Sequence, residues 1–578
     1  MRRIYTFLFM ILLVSAANIF AQKTVIKNAT LIDPAQETTL ENAMVIIDGS
    51  EIIYTGEPNE NRVTNDMEVI DASGKYLIPG LVDGHIHFFQ SGGLYTRPDG
   101  LDLRHRVPYE DRELKWIKNN IDDFFRRYIR CGVTTVVDVG GPYWNFEVRA
   151  QARASAAAPN VYLSGPLIAS YQPPELTTDD PPIIKVTSEQ EALDLVHKQF
   201  QAGTDFIKVW YVVSKNTSTG LDEFYPIYEA IVEESHKLGL KVYVHATELE
   251  TARKAVEGGA DVLVHQVTDK KVDQDLLDKM KENNVILMPT LWVFSSYSAV
   301  YSKNLDLMEV EHQLGNPYVI GTLYDMYELD DDELGERHKN LQTMKADPAK
   351  PNQTALENTK IMQDAGITIV TGTDAGNVGV IHGPGIFHEF EFMEMAGLTP
   401  MQILKASTIN AAKMLDREDV FGSIEKGKLA DMVVLNSNPL DDIQNATDID
   451  LVIKSGMIFE PGNIINTFPE DLAQIQLNAY NERDLEAFLS VYSDDVEIYQ
   501  FPDKLMYTGK EKMRENYRDY FAKSPELHCR LVSRIAEGNV VVDKEHVTGA
   551  RGDEELRATA MYEIKDGKIQ KVWFVRGE

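Results

Sequence analysis

The chain has 578 residues, too many for a single compact core, and its apolar and charged fractions of 43% and 25% are those of an ordinary globular protein. Counting 57 basic against 90 acidic residues leaves a net charge of −33. So acidic a surface repels phosphate backbones and anionic lipid, which excludes nucleic acid and membrane surfaces and leaves a small molecule as the expected partner.

The first residues read as an export signal. Arg2 and Arg3 form a positive start, Phe7 to Val14 is an unbroken apolar run, and Ala21 offers a small residue before a cut ahead of Gln22. The run is too short to span a bilayer, which takes roughly 20 residues. Residues 1–21 are therefore expected to be removed, giving a periplasmic or secreted protein without membrane attachment; an uncleaved anchor is the alternative. Cys131 and Cys529 are the only cysteines and fall in different expected domains, so no disulfide is predicted.

From Lys23 onward the pattern is short β-like runs, with Asp48-Gly49 as a hairpin turn between Met44–Ile47 and Ile52–Tyr54. Similar runs return at Asp431–Leu435 and Leu451–Phe459. Residues 23–76 and 417–465 are thus expected to form one composite β-sandwich. Between them, helical stretches ending in Gly or Asn alternate with apolar strands. Eight strands are predicted: Leu77–His85, Val133–Asp138, Val161–Ser164, Phe206–Trp210, Lys241–His245, Asp261–His265, Val285–Met288 and Ile367–Val370. Eight favour an α/β fold closed as a (β/α)8 TIM barrel over residues 77–416. The polar stretch Leu291 to Lys350 is placed near the barrel mouth, after the seventh strand. Residues 468–578 form a separate α+β unit, with helices at Leu472–Tyr480 and Leu485–Tyr492 followed by an antiparallel meander.

The residues with chemistry sit at strand ends. His85-Ile86-His87 closes the first barrel strand, and residues two apart on a strand share a face, so both imidazoles can reach one ion. His245, His265 and Asp374 each end another strand, and in a (β/α)8 barrel those ends converge on the active-site face. Their joint occurrence points to a metal site. Lys208 lies inside the apolar run Phe206–Trp210, where a free ammonium is costly. As a neutral amine it could take up carbon dioxide to form a carbamate with two ligand oxygens; snorkelling or pairing with a carboxylate is the alternative. Tyr211, His382 and His388 lie just beyond strands and are candidates for substrate contact.

These residues resemble the amidohydrolase superfamily, in particular the imidazolonepropionase-like and prolidase-like metal hydrolases, over about Lys23 to Glu460. The resemblance is carried by Gly84-His85-Ile86-His87, Asp205–Val209 with Lys208, Val244-His245-Ala246, Val264-His265, Thr371–Ala375 and Gly427–Leu435. It implies two divalent ions, zinc the expected identity. His85, His87 and Asp374 would hold one, and His245 with His265 the other. Carboxylated Lys208 and a hydroxide would bridge them, with Asp374 shuttling a proton to the leaving amine. The implied reaction is hydrolysis of an amide-type C–N bond in a dipeptide, N-acyl amino acid or cyclic amide. An ester, lactone or phosphotriester at the same metals, or a ligand-binding protein with a vestigial barrel, are the alternatives. The last domain resembles the SnoaL-like, NTF2-like cone fold through Ala479–Asp484, Asp494–Val496 and Asp566–Ile569 with Trp573. That likeness implies association, including homo-oligomer formation, or ligand binding, with Asp495 and His546 as its polar candidates.

Overall fold

The computed structural model describes residues 23–212, 220–330, 332–336, 338–340, 351–550 and 555–576. The expected signal peptide and the end of the expected insertion lie outside the described residues. Among them no helix is long and apolar enough to cross a membrane.

Both ends of the catalytic unit meet in one eight-stranded sheet. Thr24–Asp33, Thr38–Asp48, Glu51–Gly56 and Glu68–Asp71 come from the front, and Met432–Leu435, Ile449–Lys454 and Met457–Phe459 from the back, with Tyr76–Pro79 joining the two groups. The hairpin forms at Asp48-Gly49, where Gly49 takes φ +61°. The sheet curls until Glu51 bridges Leu429, enclosing Ile26, Leu31, Val45, Ile47, Leu77, Met432 and Val434.

The predicted run Leu77–His85 splits at Gly80. Tyr76–Pro79 pairs into the sheet above, while Leu81–Ile86 opens the catalytic domain. A Cβ on Gly80 would lie 2.2 Å from Thr134 Oγ1, so glycine permits the crossing. Leu81–Ile86, Val133–Asp138 and Asn160–Leu163 form a parallel three-stranded sheet. Ile207–Trp210, Val242–His245, Val262–Val264 and Ile286–Met288 run parallel in a second, flanked by two short strands that sequence reading missed, Leu167–Ala169 and Ile183–Lys185. The eighth predicted strand, Ile367–Val370, is reduced to isolated bridges: Ile369 pairs with Leu287, and Ala375 with Ile86. Helices punctuate the strands as their caps dictate. Glu189–Ala202 starts at Ser188, whose side chain accepts from Glu191 N, and stops at Gly203 with φ +85°.

After Ile286–Met288 come helices Trp292–Tyr301, Glu309–Leu314 and Pro317–Leu323. The first is fixed where Leu291 N and Trp292 N donate to the buried Glu389 carboxyl group at 2.9 and 3.0 Å. The other two carry the C-terminal domain: Asn478 donates to Pro317 O at 2.7 Å, and Glu482 meets His312 at 2.8 Å and Leu307 N at 2.7 Å.

The C-terminal domain has helices Pro469–Glu482, Leu485–Ser490 and Lys510–Ala522 over a six-stranded sheet. It departs from the expected meander: Tyr492–Gln500 pairs in parallel with the last strand, Lys568–Arg576, and the strand Lys504–Thr508 and the helix Lys510–Ala522 were not predicted. The third helix and the edge strand Lys504–Thr508 between them supply the crossover that a parallel pair needs. Cys131 and Cys529 are both buried and unpaired.

Candidate active site

Strand alternation puts His85 and His87 on one face at the end of Leu81–Ile86, and the rest of the site gathers on them. Their Nε2 atoms are 3.3 Å apart, and each lies close to Asp374 Oδ1, at 3.1 and 3.2 Å. His265 Nδ1 stands 3.9 Å from Asp374 Oδ2, and the His245 ring centroid is 4.4 Å from that of His265. His265 and Asp374 both turn out of their strands in the left-handed region, at φ +72° and +63°. Such backbone persists where surrounding contacts dictate it. For Asp374 those contacts are explicit. Its N–H donates to His85 O at 2.7 Å, and Asn377 Nδ2 donates to its Oδ1 at 2.6 Å.

The donor set fits a divalent cation. His87 Nδ1 lies 2.7 Å from Gly140 O, a carbonyl that can only accept, so Nδ1 donates there and Nε2 is turned to Asp374. Burial pushes His85 and His245 down to about 3 and His265 well below its ordinary range, so these rings are neutral ligands rather than cations at physiological pH. Burial alone would raise the Asp374 carboxyl, but His85 and His87 beside it hold it well below the usual range. One ligand atom each from His85, His265 and Asp374 lies within 4.8 Å of the others. Lys208 Nζ is buried and has no hydrogen-bond partner among the described residues, and burial moves its amine down to about 7, against the pull of Asp374.

Around the ligands, Asp83 staples two strand ends together. It accepts from Thr373 N at 3.0 Å, Thr373 Oγ1 at 2.7 Å and His85 N at 3.2 Å. Removing it as Asp83→Ala strands a buried N–H at the turn that carries Asp374. The expected loss is about 2 kcal/mol of stability, read as a lower urea midpoint together with weaker metal binding.

The cluster forms the floor of a 440 Å³ cavity walled by Phe89, Trp210, Phe294, Tyr297 and Tyr301. Phe294, Tyr297 and Tyr301 come from the helix that Glu389 anchors. Arg97 also lines it, but its guanidinium is committed: Nε and Nη2 donate to Asp99 at 2.8 and 2.7 Å, and Nη1 to Asn377 Oδ1 at 2.6 Å. Asn377, with Tyr297 also donating to it at 2.6 Å, thus relays the wall onto Asp374.

The sequence profile of the amidohydrolase family matches residues 76–459. The chain belongs to the amidohydrolase family. Residues 474–572 match the SnoaL-like domain. Among relatives, this amidohydrolase is 24% identical over 476 residues to ochratoxinase of Aspergillus niger, covering 76% of this chain and 88% of that one. It is 23% identical over 480 residues to imidazolonepropionase of Shouchella clausii, covering 75% and 89%. A solved Xaa-Pro dipeptidase with bound methionine shares the fold at TM-score 0.59 and 24% identity, over 76% of this chain and all (100%) of that one. Molinate hydrolase does so at TM-score 0.58 and 22% identity, over 77% and 97%. As an amidohydrolase, the chain is a metal-dependent hydrolase acting on carbon–nitrogen bonds.

Sequence reading brought His85, His87, Lys208, His245, His265 and Asp374 to one place, and all six line the cavity of this amidohydrolase. Tyr211, His382 and His388 do not. Tyr211 is packed between Phe224 and Tyr228 with its hydroxyl on Leu221 O. His382 stacks on Phe124 and bonds Tyr128 and Gln90 O. His388 stacks on Trp292 and pairs with Glu311. Each is a core residue with its polar atoms already engaged. The residues that sequence reading missed are Arg97, Tyr297 and Asn377, whose only signal was Asn377 standing three places after Asp374.

Proposed function

We propose that this chain is an exported two-metal amidase whose substrate places an aromatic or branched apolar group against the cavity wall. One observation carries the reading: five ligand side chains and an unpartnered buried amine share the floor of an aromatic pocket. The similarity to proteins named ochratoxinase and Xaa-Pro dipeptidase fits it. In this reading the catalytic strands close as a (β/α)8 barrel, capped by the composite β-sandwich. His85, His87 and Asp374 would hold one ion and His245 with His265 the other, and Lys208, as its carbamate, would be a further ligand. Bound zinc would supply Lewis acidity and a water acidified toward neutral pH.

The chain's own residues do the rest. Trp210 and the helix Trp292–Tyr301 grip the apolar group and exclude water. Asp374 Oδ2, the oxygen that Asn377 does not occupy, receives a proton and delivers it to the leaving nitrogen. With Arg97 neutralised by Asp99, the described wall offers no free guanidinium to a substrate carboxylate. Neutral or N-acylated substrates are therefore favoured over free dicarboxylates.

The test is turnover by zinc-loaded protein of N-acyl amino acids and dipeptides, with matched esters, lactones and phosphotriesters in parallel. Amides should lead, with activity lost on chelation and regained with zinc. A lead for the esters or phosphotriesters in kcat/KM would replace the amidase reading. Trp210→Ala should raise KM for an aromatic substrate about tenfold, some ~1.4 kcal/mol of ground-state binding, with little change in kcat.

A further inference from the structure

A cavity of 730 Å³, apart from the metal ligands, lies inside the C-terminal domain, between its helices and its sheet. Its walls are rings: Tyr480, Tyr492, Tyr517, Tyr520 and Phe574. One acidic side chain from deep in the sheet joins them. Glu545 lies on Val540–Thr548, where Val541, Asp543, Glu545 and Val547 alternate inward, and it is only 7% exposed.

The hydrogen bonds around Glu545 run in one direction. Tyr492 donates to Gln476 Oε1 at 3.3 Å, Gln476 Nε2 donates to Tyr562 at 3.0 Å, and Tyr562 donates to Glu545 Oε1 at 3.1 Å. Because Tyr562 accepts from Gln476, its own proton must go to the carboxyl. The second carboxyl oxygen has no hydrogen-bond partner among the described residues, although Glu545 lines the cavity. Two guanidinium groups among the described residues lie near, and neither is bonded to Glu545. Arg534 is bound two-pronged to Asp543 at 2.7 and 2.7 Å, and Arg557 stands at the exposed rim. Burial, with Asp543 adding repulsion, pushes Glu545 up to about 7 against the opposing pull of Tyr562 and Arg534.

A buried acid inside a ring of tyrosines is what an organic ammonium needs. The carboxylate pairs with the N–H donors, and the ring faces attract the remaining positive charge. We propose that the C-terminal domain is a binding site for a hydrophobic amine, an apolar body carrying one protonated nitrogen, anchored by Glu545 within the tyrosine walls. The site is separate from the metal centre and does not depend on what the barrel hydrolyses.

The test is calorimetric titration of the full zinc-loaded chain with 2-(1-naphthyl)ethylamine, the matching alcohol 2-(1-naphthyl)ethanol, and 1-naphthylacetate. The amine should bind at least tenfold tighter than the alcohol, and the carboxylate more weakly than either. Glu545→Gln should erase the preference for amine over alcohol while leaving alcohol binding in place. Ala558→Trp, which fills the cavity from the facing strand Leu556–Lys565, should abolish binding of all three. Equal affinity for amine and alcohol, a preference that survives Glu545→Gln, or amine binding that survives Ala558→Trp would each overturn the proposal. If Glu545→Gln does not fold, as judged by circular dichroism, the filled-cavity variant decides alone.

Discussion

Replacing Lys208 by alanine is expected to lower turnover about a thousandfold, roughly 4 kcal/mol of transition-state stabilisation, and, on the two-metal reading proposed above, to leave the protein holding about one metal ion instead of two. The argument starts from the burial of its amine. Lys208 lies in Ile207–Trp210, between Ile207 and Val209, and its Nζ meets no protein acceptor. A permanent ammonium there would carry the desolvation cost of an ion with nothing to offset it. Burial brings the amine down to about 7, so at neutral pH a good share is uncharged and nucleophilic. An uncharged amine can add to carbon dioxide. The new N–C bond forms, a proton leaves the nitrogen, and the side chain becomes an anion with two oxygens facing the histidines. Three further results follow. Zinc reconstitution of metal-free protein should be slow in solution stripped of carbon dioxide and fast with bicarbonate. Formate or propionate should restore part of the activity of Lys208→Ala, because either carboxylate fits the vacated space. Lys208→Arg should not be rescued, since a guanidinium stays charged. Two zinc ions and near-normal turnover in Lys208→Ala would instead mark the amine as a simple partner of Asp374.

Local periodicity fixes which face a side chain takes, and it made the metal cluster readable. His85 and His87 are two apart on a strand, and Lys208, His245 and His265 sit on or beside strands that follow recognisable helix stops. Contacts between distant segments could not be read in this way. Tyr211, His382 and His388 look like mouth residues from position alone, yet the engagement of His382 depends on Tyr128, 254 residues away, and that of His388 on Glu311, 77 away. The eighth strand failed for a related reason. Gly84 and Gly372 pack so tightly that an added Cβ would meet Thr371 O at 2.8 Å or His85 Cβ at 2.7 Å. The chain there serves to bring Asp374 against His85, and a regular ladder gives way to that approach. In the C-terminal domain the inward register was available in the sequence. Val541 and Val547 face the core, which places Glu545 in the cavity and turns His546 out of its wall, to pair with Glu555 at the rim. Asp495 is exposed for the same kind of reason, next to the inward Val496. Choosing His546 over Glu545 read the chemistry of the residue before its parity.

Asp374→Asn is the second large effect, and it separates chemistry from architecture. Asp374 sits at φ +63°, where asparagine is among the few side chains tolerated, so the backbone should accept the change without added strain. Its main-chain bond to His85 O is untouched, and the amide oxygen can still accept from Asn377. What disappears is the negative charge that His85 and His87 stabilise and the capacity to carry a proton. Turnover should fall by about 10³-fold, within the range for loss of a general acid–base group, with KM and thermal stability close to those of the parent. Asp374→Ala should be as inactive and in addition less stable by ~1 kcal/mol, because alanine is poorly suited to the left-handed region. The comparison has a clear failing result. If the asparagine variant keeps a tenth or more of the parental kcat with metal bound, the proton is moved by another group, and the carboxylate serves the site only as a ligand.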